Sequence, residues 1–265
     1  MTAEPASSGA TQRRATRVRH DALVVLLREG VDSVETLAER VGVSASTVRR
    51  DLSTLQREGR IARTYGGAMV REGFHERSFS ESSLIDRQAK AAIAATAADM
   101  VPDGTTVFLD AGTTCLALAR LLADRGSLKV ATRGLEAAAL LTRAPGVDVV
   151  LVGGQVQPLS HGVVGPLAAM VLDRLSFDVA FLGADAVDPA KGLGEPTTEE
   201  TYVKEKAAER ATEVVLLADA SKLGPAPVSA WIPLDPAWTL VTDSAAAAET
   251  VAAFEQRGVR VLTAG

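Results

Sequence analysis

Cysteine is almost missing: Cys115 is the single one among 265 residues. No intrachain disulfide can form, which suits a reducing compartment and leads us to expect a cytoplasmic protein. Histidine is nearly as scarce. His20, His75 and His161 are scattered, and with one cysteine they give no zinc-ligand spacing, so neither a metal nor another cofactor is expected. Aromatic residues make up only 4% of the chain, so its core must pack small aliphatic side chains. No apolar run approaches the ~20 residues that cross a bilayer. The opening MTAEPASSGATQRR lacks the apolar stretch of a secretory signal, so no membrane partner is expected.

What is present is 47% hydrophobic residues and 23% charged ones, enough for one large or two ordinary domains. The charge is unevenly spread. Residues 1–71 hold 12 Arg and no Lys against 8 acids, a net +4, whereas residues 72–265 hold 16 Lys and Arg against 25 acids, a net -9. A basic end on an acidic body points to a polyanionic partner for the small end alone.

Residues 1–16, rich in Ser, Ala and Thr, read as a flexible tail. Three helical patterns follow within 17–71. VRHDALVVLLREG stops at Gly30. SVETLAERVG has Ser33 as its N-cap and Gly42 as its stop. SASTVRRDLSTLQREG starts from Ser44 and ends at Gly59. In the third, Val48, Leu52 and Leu55 fall on one face. Arg50, Ser46 and Ser53 lie opposite, with Arg49 and Thr47 at the flanks. Arginine matches the guanine edge in a major groove, and serine and threonine match bases or phosphates. Two short helices with that display form a helix-turn-helix; a solvated basic face is the other reading. RIARTYGGAMVR alternates, and Gly66-Gly67 suits a tight hairpin, so it reads as a β-wing presenting Arg60, Arg63, Tyr65 and Arg71.

Residues 72–88 are polar and aperiodic and read as a linker. From 89 to 265 short apolar runs alternate with helical stretches. TTVFLD, KVAT, VDVVLVGG, DVAFLGAD, EVVLLAD and TLVTD read as buried strands. The expected fold class is therefore two-domain: a small winged helix-turn-helix followed by an α/β domain with a mainly parallel sheet. Ligands of such sheets bind past the carboxyl ends of the strands. Four polar groups fall there. Asp110, Gly112, Thr113 and Thr114 join a strand to a helix N-terminus that can hold an anion, without the lysine of a nucleotide loop. Gly153 and Gly154 end another strand, and His161 follows in a loop. Asp185 ends a third; after it Thr197 and Glu200 form a capping box, and Lys204 lies one turn on, so taken alone a surface ion pair with Glu200 is the better reading of the two. Asp219, Ser221 and Lys222 follow a fourth strand. Lysines and hydroxyls suit a phosphate, and carboxylates suit sugar hydroxyls, so the mixture suggests a small phosphorylated polyol.

The run VSASTVRRDLSTLQREG with its Gly-Gly-Ala wing closely resembles the winged helix-turn-helix of DeoR-type transcriptional regulators, with Tyr65 where that family usually has His. The C-terminal part resembles the family's effector domain through DAGTT, Gly153-Gly154, VGP at 164–166, DVAFLGAD, Glu199-Glu200-x-x-x-Lys204 and ADASK at 218–222. That domain is similar in fold to ribose-5-phosphate isomerases and CoA transferases. The resemblance implies a non-enzymatic regulator, usually a repressor, of carbohydrate metabolism. Its implied partners are a double-stranded DNA operator, a small phosphorylated sugar, and further copies of the chain in a dimer or tetramer. It carries over Asp110, Gly112, Thr113, Thr114, Asp185, Lys204 and Lys222 as effector residues. Thr132 and Arg133 join them, Arg133 as a departure, because the family has Thr-Asn there and arginine has only donors and a charge; this marks either a more anionic effector or a side chain that points away. With Gly153, Gly154 and Glu200 this completes the candidate effector set. The DNA-reading candidates are Ser44, Ser46, Thr47, Arg49, Arg50, Ser53, Arg60, Arg63 and Tyr65. The rival reading is a sugar-phosphate isomerase fused to a DNA-binding module, but Leu182 stands where the isomerase pattern has an acid.

Overall fold

The computed structural model describes residues 8–28, 31, 33–57, 61–64, 67–70 and 77–265. The chain divides into two compact units, Met1–His75 and Glu76–Gly265. The first contains α1 (Ser8–Arg28), α2 (Val34–Val41), α3 (Ala45–Arg57), β1 (Ile61–Thr64) and β2 (Gly67–Val70). The apolar stripe of α3 does what its spacing predicts. Val48, Leu52 and Leu55 are buried with Leu23, Val24, Leu37 and Ile61. Ser33 caps α2, and Gly42 ends it in the left-handed region at φ 70°, where a side chain would be strained. β1 and β2 pair antiparallel from Ile61 opposite Val70 to Thr64 opposite Gly67, so the expected hairpin forms but Gly67, expected in its turn, belongs to β2. Asp51 is buried and accepts hydrogen bonds from Arg19 Nε (2.7 Å) and across a 3.1 Å contact from His20 Nε2, tying α1 to α3. Burial would raise the Asp51 carboxyl, but Arg19 and His20 outweigh it and hold it below its ordinary value.

One boundary differs from the sequence reading. The tail was expected over residues 1–16, yet α1 already begins at Ser8. Past Gly9 the segment ATQRRA contains good helix formers and no breaker, and it is contiguous with the buried stripe of the same helix. Arg60, Tyr65, Gly66 and Arg71 lie outside the described residues, as does the side chain of Arg63.

The second unit holds α4 (Phe79–Ser82), α5 (Arg87–Ala98), β3 (Thr106–Leu109), α6 (Thr113–Leu122), β4 (Leu128–Thr132), α7 (Leu135–Leu141), β5 (Val147–Leu151), β6 (Gln155–Val156), β7 (Val163–Val164), α8 (Pro166–Leu172), β8 (Phe177–Gly183), β9 (Ala186–Asp188), β10 (Gly192–Glu195), α9 (Thr198–Glu209), β11 (Ala211–Leu217), β12 (Ala230–Ile232), β13 (Thr239–Asp243), α10 (Ala248–Glu255) and β14 (Arg260–Ala264). A seven-stranded parallel sheet runs in the order β14-β13-β11-β8-β3-β4-β5. Its central strands are largely apolar because both faces are covered, while the edge strands β5 and β14 are partly exposed. Successive side chains go to opposite faces: Val107, Leu109, Phe181, Val215 and Leu217 pack under α5, α6 and α7. Phe108, Ala180, Leu182, Val214 and Leu216 pack against α8, α9 and α10. A small antiparallel sheet, β12-β10-β9, leaves the carboxyl end of β8 and returns the chain to α9. The linker expected over 72–88 is shorter than that in the described part: Ser78 and Glu81 form a buried reciprocal capping box on α4. Lys90 on α5 pins the end of α4 by donating to the carbonyls of Ser82 and Ile85, each at 2.7 Å.

Candidate functional site

Helix α3 presents Ser46, Arg49 and Arg50 to solvent, with Thr47 and Ser53 at the margin of the buried stripe. Ser44 is the helix cap, accepting from the amide of Thr47 at 3.2 Å, and its hydroxyl also meets Ser46 and Thr47 at 2.8 and 2.9 Å. Its role is thus to start the helix and order two neighbouring hydroxyls. Arg49 donates to Glu35 of α2 at 3.1 Å, a pairing the sequence did not suggest. Ser53 donates back to the carbonyl of Arg49 at 2.8 Å. Arg50 is exposed on the face opposite Leu52 and Leu55. A helix carrying arginine on its open N-terminal half fits a major groove.

In the second unit a cleft lies beyond the carboxyl ends of β3, β4 and β8, where the sheet geometry predicts a ligand site. It is lined by Gly112, Thr113 and Thr114 at the start of α6, by Arg133, Asp185, Glu200, Lys204 and Lys222, and by Arg77, Phe79, Ser82, Ser160 and Glu195. The cleft is small, with a volume of about 60 Å³, and opens to solvent. The floor is a cluster of buried charges. Asp110 has no exposed surface, accepts from Arg133 Nε and from the amides of Ala111 (2.7 Å) and Gly183 (3.0 Å), and forms an ion pair with Lys204 Nζ at 2.7 Å. Lys204 Nζ also donates to the Gly183 carbonyl at 2.7 Å. Its 2.6 Å approach to Glu195 Oε1 is a charge contact without hydrogen-bond alignment. Glu200 accepts from Ser160 (3.0 Å) and Thr197 (3.1 Å) and lies 3.9 Å from Arg133 Nη2.

Electrostatics follows from this packing. Burial alone would raise the Asp110 carboxyl, yet Arg133 and Lys204 hold it below the ordinary range. Burial would likewise lower both cations, but Asp110 with its neighbouring glutamates keeps Arg133 and Lys204 firmly protonated. Glu195 goes the other way. Burial, with Asp185 and Glu200 nearby, pushes it up to about 8 against the pull of Lys204. Burial pushes the Cys115 thiol up to about 12, which leaves it inert as a nucleophile near neutrality.

The structure sorts the candidates. Gly112, Thr113, Thr114, Arg133, Asp185, Glu200, Lys204 and Lys222 reach the cleft. Asp110 lies beneath it as the anchor of two cations. Thr132 is buried and accepts from the Gly134 amide at 3.0 Å, away from the lining. Gly153 and Gly154 stand outside it too. Gly154, at φ 141°, serves the β6–β7 ribbon, because a Cβ there would lie 2.3 Å from the Val164 carbonyl oxygen. Glu200 and Lys204 are not a surface pair: both are buried, and they contact different partners. Of the capping box, the Thr197 side chain accepts from the Glu200 amide. His161 stacks on Phe79 (5.4 Å between rings) and meets Glu136, which steadies the loop that carries Ser160. Arg77, Ser160 and Glu195 were missed. No local spacing marks them, since three separate segments bring them together, although the polar run around Arg77 sat in plain view. Among the described residues no cluster of His, Cys, Asp or Glu could hold a metal ion, and no helix is long and apolar enough to cross a membrane.

Residues 19–73 match the DeoR-like helix-turn-helix domain, and residues 85–244 match the DeoR C-terminal sensor domain. The chain is 35% identical to the HTH-type transcriptional regulator GlpR of Haloferax volcanii, covering 87% of this chain and 90% of that protein. It is 30% identical to the glycerol-3-phosphate regulon repressor of Escherichia coli, over 78% of this chain and 82% of that one. A ribose 5-phosphate isomerase A from Methanocaldococcus jannaschii aligns at a TM-score of 0.40 with 24% identity, over 52% of this chain and 55% of that one. With a DNA-reading helix in one unit, a cleft at the strand ends of the other, and both halves matched in order, the chain belongs to the DeoR family of transcriptional regulators.

Proposed function

We propose that the protein is a cytoplasmic repressor of carbohydrate-metabolism genes whose affinity for a double-stranded DNA operator is set by a small phosphorylated sugar or polyol bound in the sensor cleft. The observation that carries this reading is the layering of the cleft. Its mouth has Lys222, Arg77 and the amide end of α6, all suited to a phosphate. Its floor has carboxylates suited to hydroxyl donors. The E. coli relative named for a glycerol-3-phosphate regulon supports the same ligand class. Ser46, Thr47, Arg49 and Arg50, with the wing residues Arg60, Arg63 and Tyr65, would contact DNA, and a dimer or tetramer would present paired helices to repeated half-sites. The ligand controls DNA affinity only through a difference in its affinity for two states of the protein.

An isomerase would need a base free to reach the substrate. Asp110 is fully buried and engaged by Arg133, Lys204 and two amides, and Leu182 is fully buried as well, while Asp185 and Glu200 remain in the lining, so turnover is the deciding measurement. Thermal unfolding with a panel of sugar phosphates, followed by mobility shifts on upstream DNA, tests the proposal. Stabilisation by some of these compounds together with a changed DNA affinity is expected. Turnover of pentose phosphates at enzyme-like rates would overturn it.

A further inference from the structure

Arg133 has five N–H donors, yet among the described residues its one hydrogen bond runs from Nε to Asp110. Nη1 is buried without a partner. Nη2 stops 3.9 Å short of Glu200, and the side chain is 2% exposed. An unsatisfied buried guanidinium edge is costly and calls for an absent partner. Arg133 lines the cleft. It is seated against Gly162, where a Cβ would lie 2.4 Å from Nη1, so the bare backbone makes room for it.

We propose that Arg133 determines which effectors the cleft accepts, its open edge and the facing Glu200 together taking a hydroxylated, uncharged end and refusing a carboxylate. This rests on the cleft being a phosphorylated-polyol site and goes further by fixing the ligand's direction and end group. A hydroxyl accepts from Arg133 and donates to Glu200 at once. A carboxylate only accepts, and here it would confront Glu200. The charge count agrees. At the floor Arg133 and Lys204 are matched by Asp110 and Glu200, with Glu195 holding a proton in reserve. No cation at that depth is left over for another anion. The more exposed cations of the lining are Lys222 and Arg77. The phosphate therefore stays outward, and the polyol points in.

The test is calorimetric titration of the full chain with matched pairs: glycerol 3-phosphate against 3-phosphoglycerate, and glucitol 6-phosphate against 6-phosphogluconate, with inorganic phosphate alongside. In at least one pair the polyol phosphate should bind roughly tenfold or more tighter than its acid, a gap of about 1.4 kcal/mol. Glu200→Gln should narrow that preference by admitting the acid, Arg133→Gln should weaken the polyol phosphate, and both should leave inorganic phosphate unchanged. Should the arginine variant not fold, Gly162→Ala, which crowds Nη1 without removing the charge, should weaken the polyol phosphate too. Acids binding as well as polyols, or polyol affinity unchanged in a folded Arg133 variant, would overturn the role of Arg133 alone. No binding by any probe, phosphate included, would overturn the ligand class itself.

Discussion

Asp110→Asn is the substitution whose cost the structure states most directly. Asp110 is fully buried, with Arg133 on one oxygen and Lys204 at 2.7 Å on the other. Asparagine preserves size and one acceptor, so the Ala111 amide keeps its partner. The new NH₂ group, however, would face the Gly183 amide and the Lys204 ammonium, donor against donor. Glu195 and Glu200 remain, but two buried cations lose their shared counter-charge. Removing one partner of a buried pair typically costs about 3–5 kcal/mol. For a unit of this size each kcal/mol moves the melting temperature by roughly 2–4 °C, so a drop of ~10 °C is expected. Circular dichroism melts of the full chain would report it. Because the Asp110 carboxyl lies below its ordinary 3.8, the stability it contributes is present above that pH and lost as pH falls, so the variant's acid limb should be flatter. A melting temperature within about 3 °C of the parent would refute the charge cluster as a structural keystone.

Glu195 gives the opposite pH dependence. Its folded value of about 8 is above the ordinary 4.5, so the native state retains a proton that the unfolded chain releases. Stability should fall as pH rises between those values and level off above, and Glu195→Gln should remove that slope in melts across the range. Asp51→Asn should loosen α1 from α3 by about 1–3 kcal/mol, since Arg19 and His20 lose a charged acceptor; urea unfolding of the DNA-reading unit would show a lower midpoint. Arg50→Ala should cost about 1–3 kcal/mol of discrimination between operator and random duplex in competition mobility shifts. A uniform loss on both duplexes, with a shallower salt dependence, would reassign Arg50 to a phosphate.

The stripe of Val48, Leu52 and Leu55 was legible because a helix at a protein surface must bury one face and no other. The interior strands were legible for a related reason: a sheet covered on both sides leaves uninterrupted apolar runs, as in VFL and VAFLG. β14 escaped because an edge strand with the sequence RVLTA is partly exposed and lacks such a run. The short β9, β10 and β12 escaped because three or four residues carry no period. Glu200 and Lys204 show the limit of local spacing. Positions four apart share a helix face, but only tertiary packing decides whether that face meets water or the sheet's rim. The same holds for Arg77, Ser160 and Glu195, which become neighbours only after the sheet orders its loops.

The central claim is that occupancy of the sensor cleft changes affinity for DNA. The most direct measurement is the dissociation constant of the full chain for its operator, taken without ligand and at saturation with whichever polyol phosphate the calorimetry selects. The account predicts a shift of about fivefold or more, the size of an ordinary coupling between two sites, and its disappearance in a cleft variant that no longer binds the ligand. An operator affinity identical with the cleft empty and saturated would contradict it.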